Sequence, residues 1–187
     1  MANKINPNNT LFISDLHLGH KAICKYRPQF STTEDHDETI KEALLSVANK
    51  RQKIYILGDI AFTSDAGDWV IELSKKCNLE IVLGNHDTRE GTINIPKYVQ
   101  AGIKLHGLVG YKDAWLSHCP IHEQELRKKI VNIHGHTHSH NIGSNVYHRE
   151  HWDDILYIKE DKRYFNVSCE NINYKPIRYD EIMERVL

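Results

Sequence analysis

Aspartate, asparagine and histidine fall in this chain in five short blocks, each directly after an apolar run: Asp15-Leu16-His17, Gly58-Asp59, Gly84-Asn85-His86-Asp87, Ser117-His118-Cys119-Pro120 and His134-Gly135-His136-Thr137-His138. Each block alone is a weak signal, because an Asp after a strand commonly begins a turn and a lone His is commonly a hydrogen-bonded, half-buried imidazole. As an ordered set they bring together imidazole nitrogens, carboxylate oxygens and an amide oxygen that packing does not require. In the last block alternate residues of an extended segment point the same way, so His134, His136 and His138 can share a face. The chain carries 13 histidines in 187 residues, largely in such clusters.

That donor set suits Mn²⁺, Fe, Zn²⁺, Co²⁺ or Ni²⁺, and suits Cu(I) or an iron–sulfur cluster poorly because thiolates are missing from it. Asp15, His17, Asp59, Asn85, His118, His136 and His138 are too many ligands for one tetrahedral ion. They fit two cations sharing a carboxylate, with Asp59, central among the early blocks, as the natural bridge. Two divalent ions bring about four positive charges against only the Asp15 and Asp59 carboxylates, so the centre stays positive and attracts an anion such as a phosphate ester.

These side chains need a scaffold that converges them. Leu11–Ser14, Ile54–Leu57 and Glu80–Leu83 read as buried strands. Between them, Ser31–Asn49 opens with a capping-box pattern at Ser31 and Glu34, and Asp65–Lys76, capped by Ser64, places Trp69, Leu73 and Cys77 on one face. The opening is β-α-β-α-β, which favours a parallel sheet whose ligands gather outside the strands' carboxyl ends. The second half is richer in strands, at Ile103–Val109, Ala114–Ser117, Val131–His134, Ile155–Ile158, Tyr164–Ser168 and Pro176–Tyr179. Short helices are expected at Ile121–Lys129 and Tyr179–Leu187, and Ser139–Arg163 reads as a long polar excursion.

Composition limits the partners. With 24 Lys plus Arg against 25 Asp plus Glu, the net charge of −1 excludes a bulk polybasic surface, and no extended nucleic-acid surface is evident. No apolar run approaches a membrane span, and Met1–Thr10 lacks a signal-peptide core, so a cytoplasmic protein with no membrane partner is expected. Cys24, Cys77, Cys119 and Cys169 form no C-x-x-C pair and read as reduced, mostly structural residues. One domain spanning residues 1–187 is expected.

The ordered set D-x-H, G-D, G-N-H-D, H and G-H-x-H resembles the calcineurin-like metallophosphoesterase superfamily. Gly19-His20-Lys21, Arg27-Pro28 and the helix near Asp37-Glu38-Thr39-Ile40 are similar to its small single-domain bacterial and phage members. The resemblance implies a four-layer α-β-β-α sandwich of two mixed sheets flanked by helices. It implies one cation held by Asp15, His17, Asp59 and His138, and a second by Asp59, Asn85, His118 and His136, with manganese favoured. The implied reaction is hydrolysis of a phosphodiester or phosphomonoester, nucleotide or cyclic nucleotide favoured, by in-line attack of a metal-bridging hydroxide. His86 would stabilise charge or protonate the leaving group, with Asp87 setting its tautomer.

This chain departs from many larger relatives after Gly58-Asp59, where Ile60-Ala61-Phe62 supplies no further Asp or Arg. His20 and Arg27 are therefore the expected substrate-binding residues. The excursion with His140, His148, Arg149 and His151 is a candidate lid, His134 a supporting residue, and His36, His106 and His122 have no expected catalytic role. A non-catalytic metal-binding scaffold on the same fold and a metal-dependent nuclease are the alternative readings.

Overall fold

The computed structural model describes residues 9–147 and 155–187. His148, Arg149 and His151 of the expected lid lie outside the described residues.

The first sheet carries β1 (Thr10–Ile13), β2 (Lys53–Leu57), β3 (Asn78–Val82) and β4 (Lys104–His106) in parallel, with β11 (Ile177–Arg178) antiparallel on the outer side of β1. The second places β10 (Tyr164–Asn166), β7 (Val131–His134) and β6 (Ala114–Ser117) in parallel, with β5 (Leu108–Tyr111) antiparallel at the edge. Both sheets are mixed and helices flank them, as the α-β-β-α sandwich requires. The sheets meet face to face through Phe12, whose ring lies 5.6 Å from that of Tyr111. They are also stitched together edgewise, the Ser14 amide donating to the Val167 carbonyl at 2.9 Å.

Helix α1 (Thr33–Val47) buries Ile40 and Leu44, and α2 (Ser64–Ser74) buries Val70 and Leu73, against a core that includes Ile13, Ile56, Leu57 and Ile81. Each such side chain contributes about 1.5–3 kcal/mol on leaving water. Both helices start one residue away from the expected cap. Thr32, not Ser31, accepts the Asp35 amide, and Thr63, not Ser64, accepts the Ala66 amide. In each case the neighbouring hydroxyl residue was equally eligible by type, and only the backbone direction chose between them.

Two expectations are corrected and one helix is new. Ile103–Val109 is not one strand: β4 and β5 belong to different sheets, with Gly107 at the crossing. Helix α3 (Ile95–Gln100) was not expected; it tolerates Pro96 because that residue lies in the first turn, where a missing amide costs nothing. The expected helix at Ile121–Lys129 shrinks to α4 (Glu123–Leu126). Within the polar excursion, β8 (Gly143–Tyr147) pairs antiparallel with β9 (Ile155–Glu160). Helix α5 (Tyr179–Val186) closes the chain against β1 and β11. No helix among the described residues is long and apolar enough to cross a membrane.

Candidate metal centre

The blocks converge because they follow the carboxyl ends of β1, β2, β3, β6 and β7. Beyond the strands the loops continue side by side: the Asp15 amide donates to the Gly58 carbonyl at 3.0 Å and the His17 amide to the Asp59 carbonyl at 2.9 Å. The Gly135 amide donates to the His118 carbonyl at 2.9 Å, tying the loops of the second sheet together. Asp15, His17, Asp59, His136 and His138 all have positive φ, between 49° and 69°, among the described residues. Non-glycine residues there carry strain of order 1–3 kcal/mol, which persists only where the surroundings fix it and which concentrates at functional sites.

Two glycines make the approach possible. Gly58 has φ +90°, and a Cβ on it would strike the His118 ring; a Cβ on Gly135 would collide with the Ser14 hydroxyl and the Asp15 carboxylate.

Asp15 is fully buried, and its Oδ2 accepts from the Ser168 hydroxyl at 2.8 Å and the His136 amide at 3.0 Å. Its Oδ1 lies 3.9 Å from His17 Nε2 and 4.0 Å from His138 Nε2. Asp59 Oδ1 accepts from the His86 amide at 2.9 Å, while Oδ2 lies 3.8 Å from His17 Nε2 and 3.4 Å from His118 Nε2. One carboxylate oxygen thus faces two imidazoles. His118 Nε2 also meets Asn85 Oδ1 at 3.0 Å, and the His136 ring lies 5.0 Å from that of His118.

The tautomers follow from what the other ring nitrogens touch. His118 Nδ1 donates to the Leu57 carbonyl at 2.8 Å and His138 Nδ1 to Glu170 Oε1 at 3.0 Å, which leaves each Nε2 lone pair facing the carboxylates. His17 is buried, and neither of its ring nitrogens has a hydrogen-bond partner among the described residues. Burial, with the Arg27 charge adding, lowers its pKa to about 2, so the ring is a neutral base. For His118 burial disfavours the cation, but the neighbouring Asp59 carboxylate, with Asp15, outweighs it and raises the pKa. Burial disfavours charge on Asp59 too, and His118 outweighs it, holding the carboxyl below its usual range.

This arrangement fits divalent cations. Separations of 3.4–4.0 Å between nitrogen and carboxylate oxygen are too long for good hydrogen bonds. They lie within the span of two ligands that each sit about 2.0–2.2 Å from a shared ion. The grouped donors Asp15, His17 and His138, and Asp15, Asp59 and His118, have ligand atoms within 4.8 Å of one another. A third group joins His118 and His136 to Cys119, an exposed residue. Burial, then the charges of Asp59 and Asp15, raises its thiol pKa, which disfavours the thiolate.

The remaining sequence candidates separate. His86 is part-exposed and lines a cleft of about 730 Å³ shared with His17, His20, Tyr26, His138 and Glu170. Its Nδ1 meets Glu90 Oε2 at 2.8 Å. Asp87 was expected to fill that role, but its carboxylate accepts the amides of Asp59, Ile60 and Gly84 at 2.8–2.9 Å, locking the loops after β2 and β3. His20 stacks on Phe62 at 4.7 Å in the cleft wall. Arg27 does not face the cleft as a substrate ligand: it is fully buried and holds Glu170, His36 and the Asp15 carbonyl. His134 is fully buried, with Nδ1 on the Gly135 carbonyl, and burial lowers its pKa to about 4.

Sequence reasoning missed Glu90 and Glu170. Glu170 follows the end of β10, so the strand-end rule that found the other residues would have found it too. Glu90 carried no signal beyond its spacing of four from His86.

Residues 9–179 match the family described as calcineurin-like phosphoesterase, and the chain belongs to that family. It is 33% identical over 182 residues to the Gene 66 protein of Mycobacterium phage L5, covering 76% of this chain and 83% of that one. To an uncharacterized protein of Methanocaldococcus jannaschii it is 32% identical over 178 residues, covering 93% and 89%. A solved structure of a protein of unknown function from Aquifex aeolicus has the same fold, with TM-score 0.61, 24% sequence identity and coverage of 94% of this chain and 97% of that one.

Proposed function

We propose that residues 1–187 form one cytoplasmic phosphoesterase domain that uses two divalent cations, manganese favoured, to hydrolyse a phosphodiester or phosphomonoester. A nucleotide or cyclic-nucleotide ester is the favoured substrate. The observation that carries this is the position of Asp59 Oδ2, 3.8 Å from His17 Nε2 and 3.4 Å from His118 Nε2. Asp15, His17, Asp59 and His138 would hold one cation, and Asp59, Asn85, His118 and His136 the other. When bound, the ions supply Lewis acidity toward phosphoryl oxygens and lower the pKa of water.

The chain's own groups do the rest. Asp15 and Asp59 are the only carboxylates in this ligand set, which leaves the loaded centre positive toward an anionic ester. His86 lines the cleft while Glu90 holds its Nδ1, so its Nε2 would hold the proton that the leaving oxygen takes. His20, stacked on Phe62, and Tyr26 form the wall against which the organic part of the ester rests. Metal content measured together with turnover of bis-p-nitrophenyl phosphate tests the reading. Stoichiometric metal with hydrolysis supports it; stoichiometric metal with no turnover of any phosphoester would leave only a binding scaffold.

A further inference from the structure

Arg27 is the largest fully buried side chain of the described residues, and it is a cation set behind a site read as holding two more cations. Electrostatics alone opposes that placement. Its hydrogen bonds account for it. Nη2 donates to the Asp15 carbonyl at 2.6 Å and Nε to Glu170 Oε1 at 2.8 Å, while Nη1 meets the Leu16 carbonyl at 3.4 Å and His36 Nε2 at 2.6 Å. A guanidinium only donates, so His36 Nε2 accepts and its Nδ1 donates to Asp37 Oδ1 at 2.8 Å. The other Asp37 oxygen accepts the Gly19 amide at 2.8 Å. Both ends of the Asp15–Gly19 loop, which carries Asp15 and His17 at positive φ, are thereby anchored to one buried network.

The same guanidinium reaches the other half of the ligand set. Glu170 Oε1, held by Arg27, also accepts from His138 Nδ1 at 3.0 Å. A carboxylate behind a ligating imidazole fixes the ring's orientation and tautomer. Left alone, Glu170 would add a negative charge beside a centre meant to attract anions, and pairing with Arg27 cancels it.

The geometry points to Arg27 and Glu170 as positioning residues that join the β1 loop and His138 into one preorganised metal centre. This rests on the metal-dependent reading above. A lysine would not replace the arginine, because one ammonium cannot span the Asp15 and Leu16 carbonyls and the Glu170 carboxylate in the fixed planar fork that a guanidinium presents.

The test is Mn²⁺ affinity, measured by competition with a fluorescent chelator on metal-stripped protein, with the Co²⁺ absorption spectrum as a second readout of ligand geometry. Glu170→Gln and Arg27→Lys should bind 10–100-fold more weakly, roughly the cost of removing a group that orients a ligand, with an altered Co²⁺ spectrum. Glu80→Gln, which breaks a buried ion pair elsewhere, should bind as the wild type does. Because a lone buried charge can prevent folding, the paired change R27M/E170M, which leaves none, is measured alongside and should also bind weakly. Wild-type affinity in any folded variant lacking the Arg27–Glu170 pair overturns the inference while the metal reading stands. Failure of the wild type itself to bind Mn²⁺ or Co²⁺ overturns both.

Discussion

His17 Nε2 and Asp59 Oδ2 face each other at 3.8 Å inside a buried pocket, and the imidazole has no hydrogen bond on either nitrogen among the described residues. A buried, unsatisfied polar group costs about 1–3 kcal/mol, so this pairing is stable only in company with something that accepts the nitrogen lone pair. A shared cation would do so. Asp59→Asn keeps the size but removes the charge, and should lower metal stoichiometry and turnover together. Full stoichiometry in that variant would exclude Asp59 as the bridge.

His86 holds its place by Glu90 and lies outside the tight ligand groups. His86→Ala should therefore retain its metal while losing 10²–10⁴ in kcat, the usual worth of a positioned proton donor. Glu90→Gln, which loosens that contact, should show a smaller loss in kcat with metal retained. Metal loss in the His86 variant would contradict this division of roles.

Gly135 is required by contact and not by flexibility, since a Cβ there meets Ser14 and Asp15. Gly135→Ala should fold, judged by its far-ultraviolet circular dichroism, but bind metal weakly because the Asp15 carboxylate is displaced. Unchanged metal affinity would show that the loop yields without disturbing Asp15.

Stability should depend on acid through Glu80, remote from the cleft. Burial pushes its carboxyl up, but the hydrogen bond and charge of Lys53, with His106 and Lys104, hold it below the usual range. A lowered folded-state pKa means that the unfolded chain binds more protons. The contribution is then fully present above the unfolded value of about 4.3 and is lost as pH falls through the folded one. Glu80→Gln should cost about 1.5–3 kcal/mol at pH 7 and flatten the acid limb of a urea-denaturation series. An acid limb as steep as the wild type's would assign that dependence to other carboxylates.

What the sequence made legible, and what it hid, divides on physical lines. The parallel strands β1, β2 and β3 were visible because strands buried on both faces are continuous apolar runs, and the residues after them are freed from packing. The ligand blocks were visible for the same reason. The roles of Arg27 and Asp87 were not, because a charged residue near a motif looks the same whether it faces substrate or backbone; only burial and partners distinguish the two. Glu170 lies 143 residues from Arg27 along the chain, a relationship that no local pattern encodes. The split of Ile103–Val109 between two sheets was hidden because a strand pattern does not record which neighbour it pairs with.

Anomalous scattering from a crystal soaked in Mn²⁺ is the most direct measurement. Two peaks about 3.5–4 Å apart, on either side of the Asp59 carboxylate, are the expected result. A single peak, or none in the cleft at full soaking, would contradict a two-cation centre.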